Sequence, residues 1–260
     1  VDAYRVAKGE KQEAGTTVPP VIELLSMKIV EMFAEAIPGV IIQLMAIATT
    51  TEGEEVSKAA WFSLAVSAIT TGFASATISY DFDTNPERRA AAPDFYGYVP
   101  SSATGRSVVF ASLILMSAGM LLIRCMTIVV LGLIGGRWPF IYIGADLGLY
   151  MIVKVLRGDF WYWLPLGGSA ELVASMIFRP IVKIVTDFTS VVQFRHPNEL
   201  GGVYWLFGIV LTMGSLPVAT IVAEYHFSER GLDLAWTIVK FFIPVSVFCL
   251  AIFFFNIERK

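Results

Sequence analysis

Seven stretches of this chain, 19–50, 58–80, 107–134, 138–156, 170–192, 202–224 and 234–256, are long and apolar. A helix needs about 20 such residues to cross a bilayer. Lipid offers the backbone no hydrogen bonds, so apolar runs of this length must satisfy their own, and helices do so within one segment. A membrane β-barrel would show short alternating segments instead; none is visible. Charged residues make up only 16% of the chain and hydrophobic ones 56%, with a mean hydropathy of +0.68. A soluble domain carries about 25% charged residues. The expected fold class is therefore all-α, a polytopic helical membrane protein with six to seven membrane segments, one of them broken or re-entrant. The net charge of −3 and the lack of any basic run exclude a nucleic-acid partner.

Breaks between the segments are marked by composition. Residues 51–58 (TEGEEVSK) are polar, and 82–106 form the longest loop, with three prolines and NPERR. GGRWP at 135–139, PLGG at 165–168 and RHPNELGG at 195–202 read as turns. Residues 1–18 form a polar tail without a signal-peptide core. The chain begins at Val1, so a fragment or processed product is expected, with segments missing ahead of it. Cys125 and Cys249 lie in apolar runs, and their spacing argues for no disulfide.

Nine Lys or Arg residues fall on the N-terminal side of seven crossings (Arg5, Lys8, Lys11, Arg88, Arg89, Arg106, Lys154, Arg157, Arg230). Five fall on the other (Lys58, Arg137, Arg195, Arg259, Lys260). The positive-inside rule then places the N-terminus in the cytoplasm. Seven crossings leave the C-terminus outside; if one segment fails to cross, both ends are cytoplasmic. The first segment is the candidate for that failure, because it carries Glu23, Lys28, Glu31, Glu35 and Pro38.

Polar residues recur at helical spacing in three places. Lys28, Glu31 and Glu35 are three and four apart and share a face, and Pro38 should kink or break their helix, freeing carbonyls near residue 34. Charge at the bilayer centre costs about 2.5–3.5 kcal/mol, so these residues face protein, water or headgroups. Ser63, Ser67, Thr71, Ser75 and Ser79 recur at every fourth position, beside Ala68, Gly72 and Ala76, a small-xxx-small pattern for close helix approach. They serve either as interhelical glue or as a polar track. Glu171, Arg179, Lys183 and Asp187 project from one face of a third helix, bent at Pro180. They form either buried ion pairs that fix packing or a hydrated groove. Arg124, Asp146, Glu224 and Lys240 add single charges to other segments. His196 and His226 are isolated, Asp81 and Asp83 end a helix at the interface, and no catalytic or metal motif is present, so an enzyme is not expected.

The stretch EAIPGVIIQL (Glu35 to Leu44) resembles the E-x-x-P-Q-x-x-x-Q-L signature of the XK-related family of membrane proteins. A serine-rich helix ending in Ser79, Tyr80 and Asp81 follows, as it does in that family. LLIRCMTIVV around Arg124 is similar to the family's arginine-bearing helix, and LRGDF (Leu156 to Phe160) to its short polar connection. The likeness runs over residues 20 to 255, the C-terminal two-thirds of a family member, with Gly39 standing where glutamine is usual. The resemblance implies energy-independent phospholipid scrambling between leaflets, no cofactor, membrane phospholipids as partners together with a partner membrane protein, and the plasma membrane rather than an organelle. Glu35, Gln43, Arg124, Asp146, Glu171, Arg179, Lys183 and Asp187 would then contact headgroups or form ion pairs that hold a groove open. The alternatives are an ion or small-solute channel or transporter, and a non-catalytic subunit of a larger membrane complex.

Overall fold

The computed structural model describes residues 20–51, 54–84, 99–157, 168–189, 203–224 and 229–256. The polar tail 1–18, NPERR, His196, His226, the turn at 195–202 and the end of LRGDF lie outside them. The described residues are helical, with no strand among them. In chain order the helices are α1 (Pro20–Glu31), a π-helical turn (Met32–Ala36), α2 (Ile37–Ala48), α3 (Lys58–Thr84), α4 (Ala103–Ile134), α5 (Trp138–Arg157), α6 (Gly168–Thr189), α7 (Val203–Ala223) and α8 (Glu229–Asn256). Five stretches are long and apolar enough to cross a membrane: Glu23–Ala48, Lys58–Tyr80, Ala103–Ile134, Trp138–Arg157 and Arg230–Asn256. A shorter apolar helix, Phe207–Ala223, joins them. The chain is a polytopic helical membrane protein.

α4 forms the axis of the bundle. Of its most apolar stretch 89% is buried inside the protein, against 22% for Glu23–Ala48 and for Arg230–Asn256. Ser102 caps its start by accepting the Gly105 N–H at 3.2 Å, as an N-cap serine does. The other helices lean on α4, with α8 and α3 making the broadest contacts. Close approach is set by small residues. A Cβ on Gly72 would stand 2.7 Å from the Ile114 carbonyl oxygen, so α3 and α4 touch backbone to backbone there. Ala68 and Ala76, one helical turn to either side of it, are buried as well.

Pro38 does not break the first segment. Its missing N–H and its ring would disrupt the turn ending at Ala34. The helix absorbs this by widening into the π turn Met32–Ala36, in which the Ile37 N–H donates to the Met32 carbonyl. The segment continues to Ala48, and Glu23–Ala48 is long and apolar enough to cross a membrane.

The interruption falls in α6 and α7 instead. Arg230 Nη1 donates to the carbonyls of Thr50 at 3.3 Å and Thr51 at 3.0 Å. Residues 50–51 and 230 therefore share one end of the bundle, whereas seven full crossings would put them on opposite sides. Between them α3, α4 and α5 cross three times, so α6 and α7 together make one crossing. A second bond agrees. Ser117, near the middle of the 32-residue α4, donates to the Thr189 carbonyl at 2.7 Å. The last described turn of α6 thus sits at mid-depth, beside the middle of α4. Six crossings result, and Pro20 and Asn256 lie at the same face.

Two described residues in the orientation tally change with this. Arg230 moves to the opposite end, and Lys154, counted as a loop cation, is 1% exposed within α5.

Candidate functional site

The first site is a groove between the opening segment and α3. Lys28, Glu31, Glu35, Gly39 and Gln43 line one wall; Ser67, Thr70, Thr71 and Ala74 line the other. The five on the first wall are three and four residues apart, which keeps them in one row on a helix. From Lys28 to Gln43 the row runs about 22 Å at 1.5 Å per residue, most of the roughly 30 Å hydrocarbon core. The cavity holds about 340 Å³. Glu31 and Glu35 are exposed, Lys28 and Gln43 partly so. A Cβ on Gly39 would meet nothing within 4 Å, so the middle of the row is open space.

Gln43 ties the walls together. Its Nε2 donates to the hydroxyls of Ser63 and Ser67, each at 3.2 Å. Its Oε1 is buried and has no hydrogen-bond partner. Thr70 and Thr71 donate to their own helix, at 2.8 Å to the Val66 carbonyl and 2.7 Å to that of Ser67. Their hydroxyl oxygens remain as acceptors along the wall. Outside the groove both helices are apolar and exposed, with Met27, Val30 and Ile42 on one and Phe62, Val66, Ile69 and Phe73 on the other. A polar furrow thus opens between two faces suited to acyl chains.

The five-hydroxyl stripe does not run straight along this groove. Every fourth residue advances 400° on a 3.6-residue helix, so the row turns by about 40° per step. Ser63 is exposed and Ser67 and Thr71 face the groove, whereas Ser75 and Ser79 have rotated into the bundle and are buried. Ser75 Oγ has no hydrogen-bond partner there. Thr70, outside the expected stripe, supplies the groove in their place.

The second site is a buried charge network where α4, α5 and α6 meet. The Arg124 guanidinium donates through Nη2 to Asp146 and at 3.5 Å to Asp187, and through Nη1 to Thr212 at 2.9 Å. Lys183 Nζ reaches both Asp146 carboxylate oxygens at 3.3 Å and bonds Asp187 one turn along its own helix. In these pairs two cations meet two carboxylates. Aromatic rings close the cluster: the Arg124 guanidinium lies 5.2 Å from the Tyr142 ring centre and 5.4 Å from that of Phe188. Tyr150 stands 5.8 Å from Lys183 Nζ and 5.9 Å from Lys154 Nζ. Arg124, Asp146 and Lys183 are all buried, and Arg179, one turn before Lys183, is 0% exposed.

The residues singled out from sequence thus divide. Glu35, Gln43, Ser63, Ser67 and Thr71 belong to the groove. Arg124, Asp146, Lys183 and Asp187 form the network, with Arg179 buried on the same helix and Glu171 half-buried near its start. Of the α6 charges, Lys183 and Asp187 are ion-paired inside the bundle. Lys28 and Glu31 were legible as sharing a face with Glu35 but not as lining a cavity. Thr212, Tyr142 and Lys154 gave no signal in sequence, since a hydroxyl, a ring and a helix-end lysine are ordinary in such segments. No family model, no curated protein and no solved structure matches the chain.

Proposed function

We propose that this chain is an XK-related-type protein that scrambles phospholipids between leaflets without an energy source, and that headgroups travel along the groove between the opening segment and α3. The observation that carries this reading is a polar furrow, lined by Lys28, Glu31, Glu35, Gln43, Ser67, Thr70 and Thr71, that opens sideways between apolar exposed faces. A headgroup entering hydrocarbon loses its hydration, and a polar group moved without replacement partners costs roughly 2–7 kcal/mol. Carboxylates, an ammonium, an amide and hydroxyls on the two walls replace that water. Meanwhile the acyl chains stay against Val30, Ile42, Val66 and Ile69. Charges of both signs suit a zwitterion. The buried network acts as scaffold: it ties α4, α5 and α6 together.

The test is reconstitution into liposomes carrying trace fluorescent phospholipid, with a membrane-impermeant quencher outside. Label in the inner leaflet becomes accessible in proteoliposomes, beyond the half bleached in protein-free ones, without dissipation of a potassium gradient. Bleaching that stops at half overturns the proposal. Ion flux without lipid mixing supports a channel instead.

A further inference from the structure

The groove's chemistry selects among headgroups, and we infer that it favours ethanolamine-type phospholipids over choline and serine types. This deepens the scrambling proposal and rests on it for the role of the groove. Three features carry the inference. The first is charge: Lys28 contributes one positive charge and Glu31 and Glu35 two negative ones, so the row is formally −1. A zwitterion whose ammonium meets the carboxylates and whose phosphate meets Lys28 leaves no charge of the headgroup opposed. A serine headgroup brings a further carboxylate into a row that already holds two, and like charges in a poorly hydrated cleft repel.

The second is hydrogen bonding. A primary ammonium has three N–H donors. A trimethylammonium has none. The groove is rich in acceptors, namely the Glu31 and Glu35 carboxylates and the Thr70 and Thr71 hydroxyl oxygens. The two carboxylates are the discriminating ones, because both are exposed on the groove wall. An ammonium with N–H donors bonds them directly; choline turns only methyl groups toward them. Sites that hydrogen-bond an N–H reject analogues lacking it more strongly than apolar pockets reject a changed methyl.

The third is room. The open space at Gly39 sits one turn from Glu35, so a small ammonium fits beside that carboxylate. The partial exposure of the row keeps the preference modest, about three- to ten-fold in initial rate for ethanolamine over choline, below the level of enclosed sites.

The experiment uses the chain in liposomes with acyl-labelled phosphatidylethanolamine, phosphatidylcholine or phosphatidylserine, each with its native headgroup, and compares initial bleaching rates. Alongside it, purified chain in detergent is offered the three unlabelled lipids in equal amounts and the retained lipid is identified by native mass spectrometry. The expected result is ethanolamine first in both, with the ethanolamine-to-choline ratio falling to about one and the serine lipid gaining on the others in Glu31→Gln/Glu35→Gln. Equal rates for all three lipids in the unsubstituted chain overturn the inference while scrambling stands. A serine-first order overturns it too. If no lipid is scrambled, the proposed function falls, and the retention arm alone decides: ethanolamine enrichment that Glu31→Gln/Glu35→Gln removes upholds the selectivity of the groove, and unselective retention ends it.

Discussion

Asp146 holds the most exposed position in the energetics of this protein, because two buried cations depend on it. Arg124 and Lys183 both donate to its carboxylate, and of the two carboxylates described in the cluster Asp187 would remain. Breaking a buried pair by removing one partner costs about 3–5 kcal/mol, since the partner's charge stays behind without compensation. Asp146→Leu is expected to lower stability by about that amount, read as a large fall in the midpoint of thermal unfolding in detergent. Lys183→Met together with Asp187→Leu removes one charge of each sign and is expected to cost less than Asp146→Leu alone. An equal or larger loss in the double variant would show that the four residues do not act as balanced pairs. At this scale the sequence was informative about type and silent about partnership. Lys183 and Asp187 were readable as a pair from their spacing of four. That Arg124 and Asp146 complete the cluster depends on three helices meeting, which no local pattern records.

Among the elements, two glycines of similar appearance carry opposite consequences. Gly72 lies where α3 meets α4, and a Cβ would press on the Ile114 carbonyl, which is backbone and cannot swing away. Gly72→Leu is expected to push the helices apart and cost about 1–3 kcal/mol, measured as lost thermal stability. Gly39 opens onto empty groove, so Gly39→Leu should leave stability unchanged or raise it by up to about 1 kcal/mol, as leucine is the better helix former. Helix identity was legible almost everywhere, because apolar length and polar breaks are strong signals. What was not legible was phase. The hydroxyl row looked straight at a spacing of four but precesses out of the groove by Ser75. Pro38 looked like a break but is absorbed by a π turn, because widening by one residue removes the clash without giving up the helix.

For the whole molecule the decisive fact is topological: Thr50 and Thr51 are hydrogen-bonded to Arg230, so six crossings bring both ends of the described chain to one face. Single cysteines test this, and the native Cys125 and Cys249 are buried and should contribute little labelling. Thr51→Cys, Arg137→Cys and Asp233→Cys should react with an impermeant maleimide from one side of an oriented vesicle, and Ser101→Cys and Arg157→Cys only from the other. Asp233→Cys reacting with the second group would restore seven crossings. Sequence reading placed the partial segment first in the chain because charge there was conspicuous. Yet that charge faces a groove, while in α6 Lys183 and Asp187 are buried as a pair and Thr189 lies at mid-depth.

The account stands on lipid headgroups using the groove itself, and Gly39→Leu examines that directly, since it fills the passage where the fold has room for it. With equal amounts of folded protein in liposomes, the unsubstituted chain should expose inner-leaflet lipid to quencher well above the protein-free rate, and Gly39→Leu should lower the initial rate at least about ten-fold, equivalent to a barrier raised by roughly 1.4 kcal/mol. An undiminished rate in Gly39→Leu would mean that lipids cross elsewhere, or that this furrow is only a seam between two helices.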